Sequence, residues 1–154
     1  MALIPNDELV AAAWLAAAVD GLTAAKVATT LPDTPWTDNE FVQIMQVGGT
    51  PDIHLPLPEP VISVNCFANV PGSAKPPWGH ANQLAMKIWK ACYAKLYNPD
   101  TSVVVAMPSG YGSAIVRTVA PVSQPRRIPS DPSQFAVYNI DLQFSWYPAS
   151  ETFA

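Results

Sequence analysis

The strictest pattern in the chain lies near its C-terminus, where Ala136, Tyr138, Ile140, Leu142, Phe144 and Trp146 alternate with Asn139, Asp141, Gln143 and Ser145. A period of two places the two sets on opposite faces of a strand, one apolar and one wet. The stretch from Pro60 to Ala68 repeats the pattern, with Ile62, Val64, Cys66 and Ala68 on one face and Ser63 and Asn65 on the other. Phe41 to Val47 reads as a third strand, stopped by Gly48-Gly49. Shorter strands are predicted at Lys26–Leu31, ended by Pro32, at Ser102–Met107, and at Ala114–Val122, where Pro121 must sit at an edge or an end.

Two segments have helical period. Asn6 is placed to cap a helix whose first turn carries Asp7 and Glu8, and Gly21 is placed to close it. Its body, Leu9 to Val19, consists of eleven apolar residues, mostly alanine, and so has almost no polar face. A longer helix is predicted from Trp78 to about Tyr97, ended by Asn98-Pro99. On it Ala81, Leu84, Ala85, Ile88, Ala91, Cys92 and Leu96 form one apolar stripe, and Met86, Trp89, Tyr93 and Tyr97 form a second beside it. Only His80, Gln83, Lys87 and Lys90 mark a wet side. Such an arc exceeds the ~100° that a surface helix needs. The second stripe is covered either by another helix of the chain or by a neighbouring subunit.

Strands that alternate, with no βαβ rhythm, predict one α+β domain over residues 1–154, a mostly antiparallel sheet of about four to six strands with two main helices on one side. Two segments stand apart. Residues 50–60 hold Pro51, Pro56, Pro58 and Pro60 around Ile53, His54, Leu55 and Leu57, an extended arm whose apolar side chains need a surface to rest on. Residues 123–134 form a Pro-rich polar loop that carries the adjacent pair Arg126 and Arg127.

Charged residues are only 13% of the chain, about half the usual share. That neutrality favours a protein that hides part of its exterior in an assembly. The net charge of −4 argues against nonspecific binding to nucleic-acid phosphates. No run reaches the ~20 apolar residues of a bilayer span. Acidic residues before the longest apolar run disfavour a signal peptide, so a cytoplasmic origin is expected. Cys66 and Cys92 both fall on apolar faces and read as buried, reduced thiols.

Candidate chemistry is sparse. The chain has two histidines, His54 and His80. Cys92 and His80 lie about three helical turns apart and cannot meet. No close Cys or His pair suggests zinc, and the glycine pairs lack the spacing of phosphate-binding loops. Asp7 with Glu8, and Asp38 with Glu40, have ordinary roles at element ends. No catalytic, cofactor or metal residue is expected; a small enzyme with Cys66 as nucleophile and a free-standing ligand-binding module are the alternatives from other classes. Candidate contact residues are Trp14 on the first helix, Ile53, Leu55 and Leu57 on the arm, Met86, Trp89, Tyr93 and Tyr97 on the second helix, and Arg126 and Arg127 toward an acidic partner.

The order of these features is similar to a known family. An Asn-capped Ala-rich helix, a short strand ending in Leu31-Pro32, FVQIMQVGG, PVISVNCFA, a Trp/Ala helix and the closing FAVYNIDLQFSW together resemble the tail terminator, or tail completion, proteins of long-tailed bacteriophages, particularly those of actinobacterial hosts. The resemblance covers nearly the whole chain. It implies an α+β subunit that joins a homo-hexameric ring on the head-proximal end of the finished tail tube, stops tube growth, and offers a docking surface to the neck or head connector. It implies as partners the tail tube protein, the connector and other copies of the chain, with DNA passing through the ring without specific binding and no membrane involved. The expected location is the virion tail, after assembly in the host cytoplasm. A head-completion or neck protein of similar size is the nearest alternative.

Overall fold

The computed structural model describes residues 2–51, 54, 57–72, 75–96, 102–129 and 135–149, with backbone alone at 94–96. Its elements run in the order α1 (Asp7–Ala18), β1 (Val27–Ala28), β2 (Glu40–Gly49), β3 (Pro60–Asn69), α2 (Trp78–Leu96), β4 (Val103–Val105), β5 (Ala114–Pro121), β6 (Arg126–Arg127) and β7 (Phe135–Pro148). The sheet follows the order β1-β2-β3-β7-β5-β4, and β6 pairs with β7 beyond the end of β5. The named strands pair antiparallel except β1 with β2, which is parallel over two residue pairs, and an isolated parallel bridge joins Leu3 to Tyr111. The two-layer α+β expectation stands, with seven strands because two of them are only two residues long.

The alternating patterns set the register. Ile62, Val64, Cys66 and Ala68 lie opposite Leu142, Ile140, Tyr138 and Ala136. Val42 and Ile44 lie opposite Cys66 and Val64. A one-residue slip would turn each apolar set outward, so burial locks the pairing. Against this face α2 packs Ala81, Leu84, Ala85, Ile88 and Cys92, all buried. Helix α1 contacts β1 and β4, the two opposite edges of the sheet, as well as β2. The sheet is therefore curled, and α1 closes the seam where its edges approach.

Several sequence expectations shift in detail. Residues 26–31 yield a strand only at Val27–Ala28, because residues 24–26 form a 3-10 turn that turns Lys26 inward. Helix α1 ends at Ala18, before Gly21, whose φ of +80° serves the following turn instead. Gly48 and Gly49 do not stop β2 but complete its pairing, opposite Val61 and Pro60. Gly49, at φ +133°, lies so close to its partner strand that a Cβ there would stand 2.7 Å from the Pro60 Cα. No larger residue fits. The Arg126-Arg127 loop is in part a strand, resuming along β7 the edge that β5 leaves. Asn139, read as wet, is 4% exposed, its Nδ2 donating to Ser63 Oγ and Asn65 Oδ1, both at 2.8 Å.

Candidate interaction surfaces

Helix α1 is held at its start by three side chains. Asn6 Oδ1 accepts from the Leu9 amide at 2.8 Å, Asp7 Oδ1 accepts from Trp146 Nε1 at 2.8 Å, and Glu8 Oε2 accepts from the Gln46 amide at 3.2 Å. Val10, Ala11, Trp14 and Leu15 face inward and are buried, whereas Leu9 is half-buried. Trp14 is 1% exposed and meets Phe144 edge-on at 5.6 Å. This corrects the expectation of Trp14 as a contact residue, since it belongs to the chain's own core and offers nothing to a partner.

The outward side of α1 is left with alanines and Leu9. Leu9, Ala12, Ala13, Ala16 and Ala17 form one side of an apolar groove of about 580 Å³, whose other side is Ala24, Val27 and the segment from Val104 to Pro108. Val104 on β4 is 66% exposed. A continuation of about 350 Å³ shares Leu9, Ala12 and Val27 and reaches Glu8 and Ile44. The seam of the curled sheet is thus an open trough along α1.

Helix α2 presents the opposite relief. Its second stripe is not covered by α1, since the two helices have next to no contact. Met86 is 37% exposed, and Trp89 and Tyr93 are half-buried, their rings 4.7 Å apart in a T-shaped pair. Together they form an aromatic ridge on the outer surface. Tyr97, with Ile53 and Leu55 of the arm, lies outside the described residues, whereas Leu57 is half-buried and the neighbouring Pro58 carbonyl accepts from the Trp146 amide at 3.2 Å. That end of the arm rests on its own domain. Arg126 and Arg127 are both exposed, and the Arg127 guanidinium sits 5.2 Å from the centre of the Trp78 ring. Arg127 is therefore partly engaged in its own chain by a cation–π contact.

One cluster was not read from the sequence. Lys26, 4% exposed, directs its ammonium at the Gly21 carbonyl (3.0 Å), Asp38 Oδ2 (2.6 Å) and Glu40 Oε1 (3.1 Å). Three acceptors match its three N–H donors. The other oxygen of Glu40 lies 2.9 Å from His80 Nε2, so the chain of contacts runs from the end of α1 to the first turn of α2. The hydrogen bond that Lys26 donates to Asp38 holds the Lys26 pKa above its ordinary value, and the same bond holds Asp38 below the usual carboxylate range. The sequence signal was there, Asp38 and Glu40 two residues apart with one isolated lysine upstream. The distance of 12 to 14 residues between partners left it invisible until the fold was in hand.

The thiols are enclosed. Burial raises the Cys66 pKa far above the ordinary thiol value, and desolvation pushes Cys92 up to about 12. Neither carries the thiolate that nucleophilic attack requires. Among the described residues no three His, Cys, Asp or Glu side chains converge so as to hold a metal ion, and no helix is long and apolar enough to cross a membrane. No protein-family model matches the chain, and no curated protein matches it.

Proposed function

We propose that the protein is a structural subunit of a virion: a tail terminator that assembles into a ring on the head-proximal end of a long phage tail tube, stops its growth and presents a docking surface to the neck connector. The observation that carries this reading is the partly exposed ridge of Met86, Trp89 and Tyr93 on α2, which α1 does not cover. Sequence pattern left two ways to cover that stripe, and the helix that would have covered it from within the chain lies elsewhere. Met and aromatic residues are enriched where protein surfaces meet, and a neutral surface suits a subunit that buries its flanks. The net charge of −4 suits a ring through which DNA slides.

The test is the native mass by light scattering across concentration, with electron micrographs of the protein alone and mixed with tail tubes. Rings, or caps on tube ends, are the expected result. A monomer that leaves tube ends bare overturns the proposal. Trp89→Asp is expected to abolish assembly while circular dichroism stays native; outright unfolding would place Trp89 in the monomer core.

A further inference from the structure

The α1 trough and the α2 ridge are complementary in three respects. The first is shape. Small side chains on one helix let another approach closely, and the outward face of α1 offers Ala12, Ala13, Ala16 and Ala17 as a floor. Its volume of about 580 Å³ is of the size that encloses a ligand with several rings, and so has room for an aromatic pair. The second is polarity. The trough wall from Val104 to Pro108 and the ridge residues themselves carry no charge, so docking one on the other strands no ion.

The third is charge at the rims. Helix α2 contains Lys87, Lys90 and Lys95 and no acidic residue. Helix α1 begins with Asp7 and Glu8, Asp20 follows its end, and no basic residue lies between Asn6 and Gly21. Lys87 and Lys90, which share one flank of the ridge, are exposed, as is Asp20. Complementary rims steer encounter and fix register.

We infer that the α2 ridge of one copy seats in the α1 trough of a second copy, with Lys87 and Lys90 facing Asp20 at the C-terminal end of the partner's α1. The inference rests on the self-association proposed above and names the surface that receives the ridge. Ridge and trough are different patches of one subunit. Such a contact either repeats head to tail, closing into a ring where the rotation permits, or doubles about a two-fold axis.

Ala17 and Met86 are exposed, and the native thiols are buried, so each position takes a cysteine as the one reactive thiol of the folded chain. Ala17→Cys and Met86→Cys are to be prepared separately, mixed and oxidised. The expected product is a disulfide-linked dimer containing one of each, absent when either variant is oxidised alone. A mixture that yields no mixed dimer while the wild type still assembles overturns ridge-in-trough docking and leaves the ring reading intact; a wild type that never self-associates, alone or on tubes, overturns both.

A second measurement uses charge and spares the apolar surfaces. Lys87→Glu with Lys90→Glu is expected to move self-association to roughly tenfold higher concentration, the equivalent of about 1.4 kcal/mol. Adding Asp20→Lys is expected to restore part of that loss. A double variant that assembles like the wild type, or a triple variant worse than the double, refutes the rim pairing.

Discussion

Helices α1 and α2 start from the same sequence signal, an apolar arc wider than one sheet can cover, and resolve it in opposite ways. In α1 Val10, Trp14 and Leu15 turn inward, and alanines with Leu9 are left outside. In α2 it is Ala81, Ala85 and Cys92 that share the inner face with Leu84 and Ile88, while Met86, Trp89 and Tyr93 remain outside. One helix ends as a recess and the other as a projection. An excess of apolar positions therefore says that a helix is covered on several sides, but side-chain size decides whether its outer face receives a partner or enters one.

The largest effect that tests this contrast is a pair of tryptophan truncations. Trp14→Ala is expected to cost about 3–5 kcal/mol in urea unfolding, because it empties a fully enclosed site against Phe144. Trp89→Ala is expected to cost far less in the monomer, since its ring is only half-buried, and to act on native mass instead. Equal losses of stability would erase the distinction between the two helices.

How much of this was legible beforehand follows from the range of each interaction. The strands β2, β3 and β7 and both helices were visible because alternation, caps and helical stripes are local, and the four inward residues expected on β3 are all buried, joined by Pro60 and Asn69. Of the two-residue strands, Val27–Ala28 falls inside the strand expected at residues 26–31, whereas nothing within Arg126–Arg127 distinguishes a ladder from a loop. Trp14 was misplaced because an all-apolar helix has no polar face from which to infer its orientation; only the closeness of both sheet edges to α1 fixes it. Asn139 obeyed the strand period yet is buried, since what covers the second face of a sheet is not written in the strand itself.

The next effect concerns the link between the helices. With α1 and α2 hardly touching, the contacts from Gly21 through Lys26 and Glu40 to His80 join the end of one to the start of the other. Lys26→Met keeps the aliphatic bulk but leaves Glu40 without its cation, and is expected to cost about 3 kcal/mol. A loss under about 0.5 kcal/mol, the scale of an exposed pair, would reduce the cluster to surface decoration.

Alkaline pH tests the same interior by another route. Cys92 ionises near 9.0 when unfolded but only at about 12 in the folded chain, so its contribution is intact below about pH 9 and declines as pH rises toward 12. By about pH 10.5 the loss is expected to reach roughly 2 kcal/mol by proton linkage. Cys66 and Lys26, both raised, lose their contributions in the same direction at high pH. At the acid end Asp38, whose pKa is lowered, keeps its contribution above the usual carboxylate range and loses it as pH falls through its folded value. Melting temperatures across pH are thus expected to form a plateau between those limits, and Cys92→Ala should flatten the alkaline slope. An unchanged slope would mean that solvent reaches this thiol beneath α2.

The smallest effect separates the recess from the fold that carries it. Asn6 accepts from the Leu9 amide at the mouth of the trough, where Asn6, Glu8 and Leu9 line its narrower end. Asn6→Ala removes one cap, worth about 1 kcal/mol, and leaves Asp7 on Trp146 and Glu8 on Gln46 in place. The first turn of α1 should then exchange its amide hydrogens faster, while the buried half around Trp14 and Leu15 keeps its protection. If the trough receives α2, self-association should weaken by more than the cap alone explains, because a frayed first turn spoils the recess. Association that weakens no more than the fold does would mean that the mouth of the trough takes no part in holding the ridge.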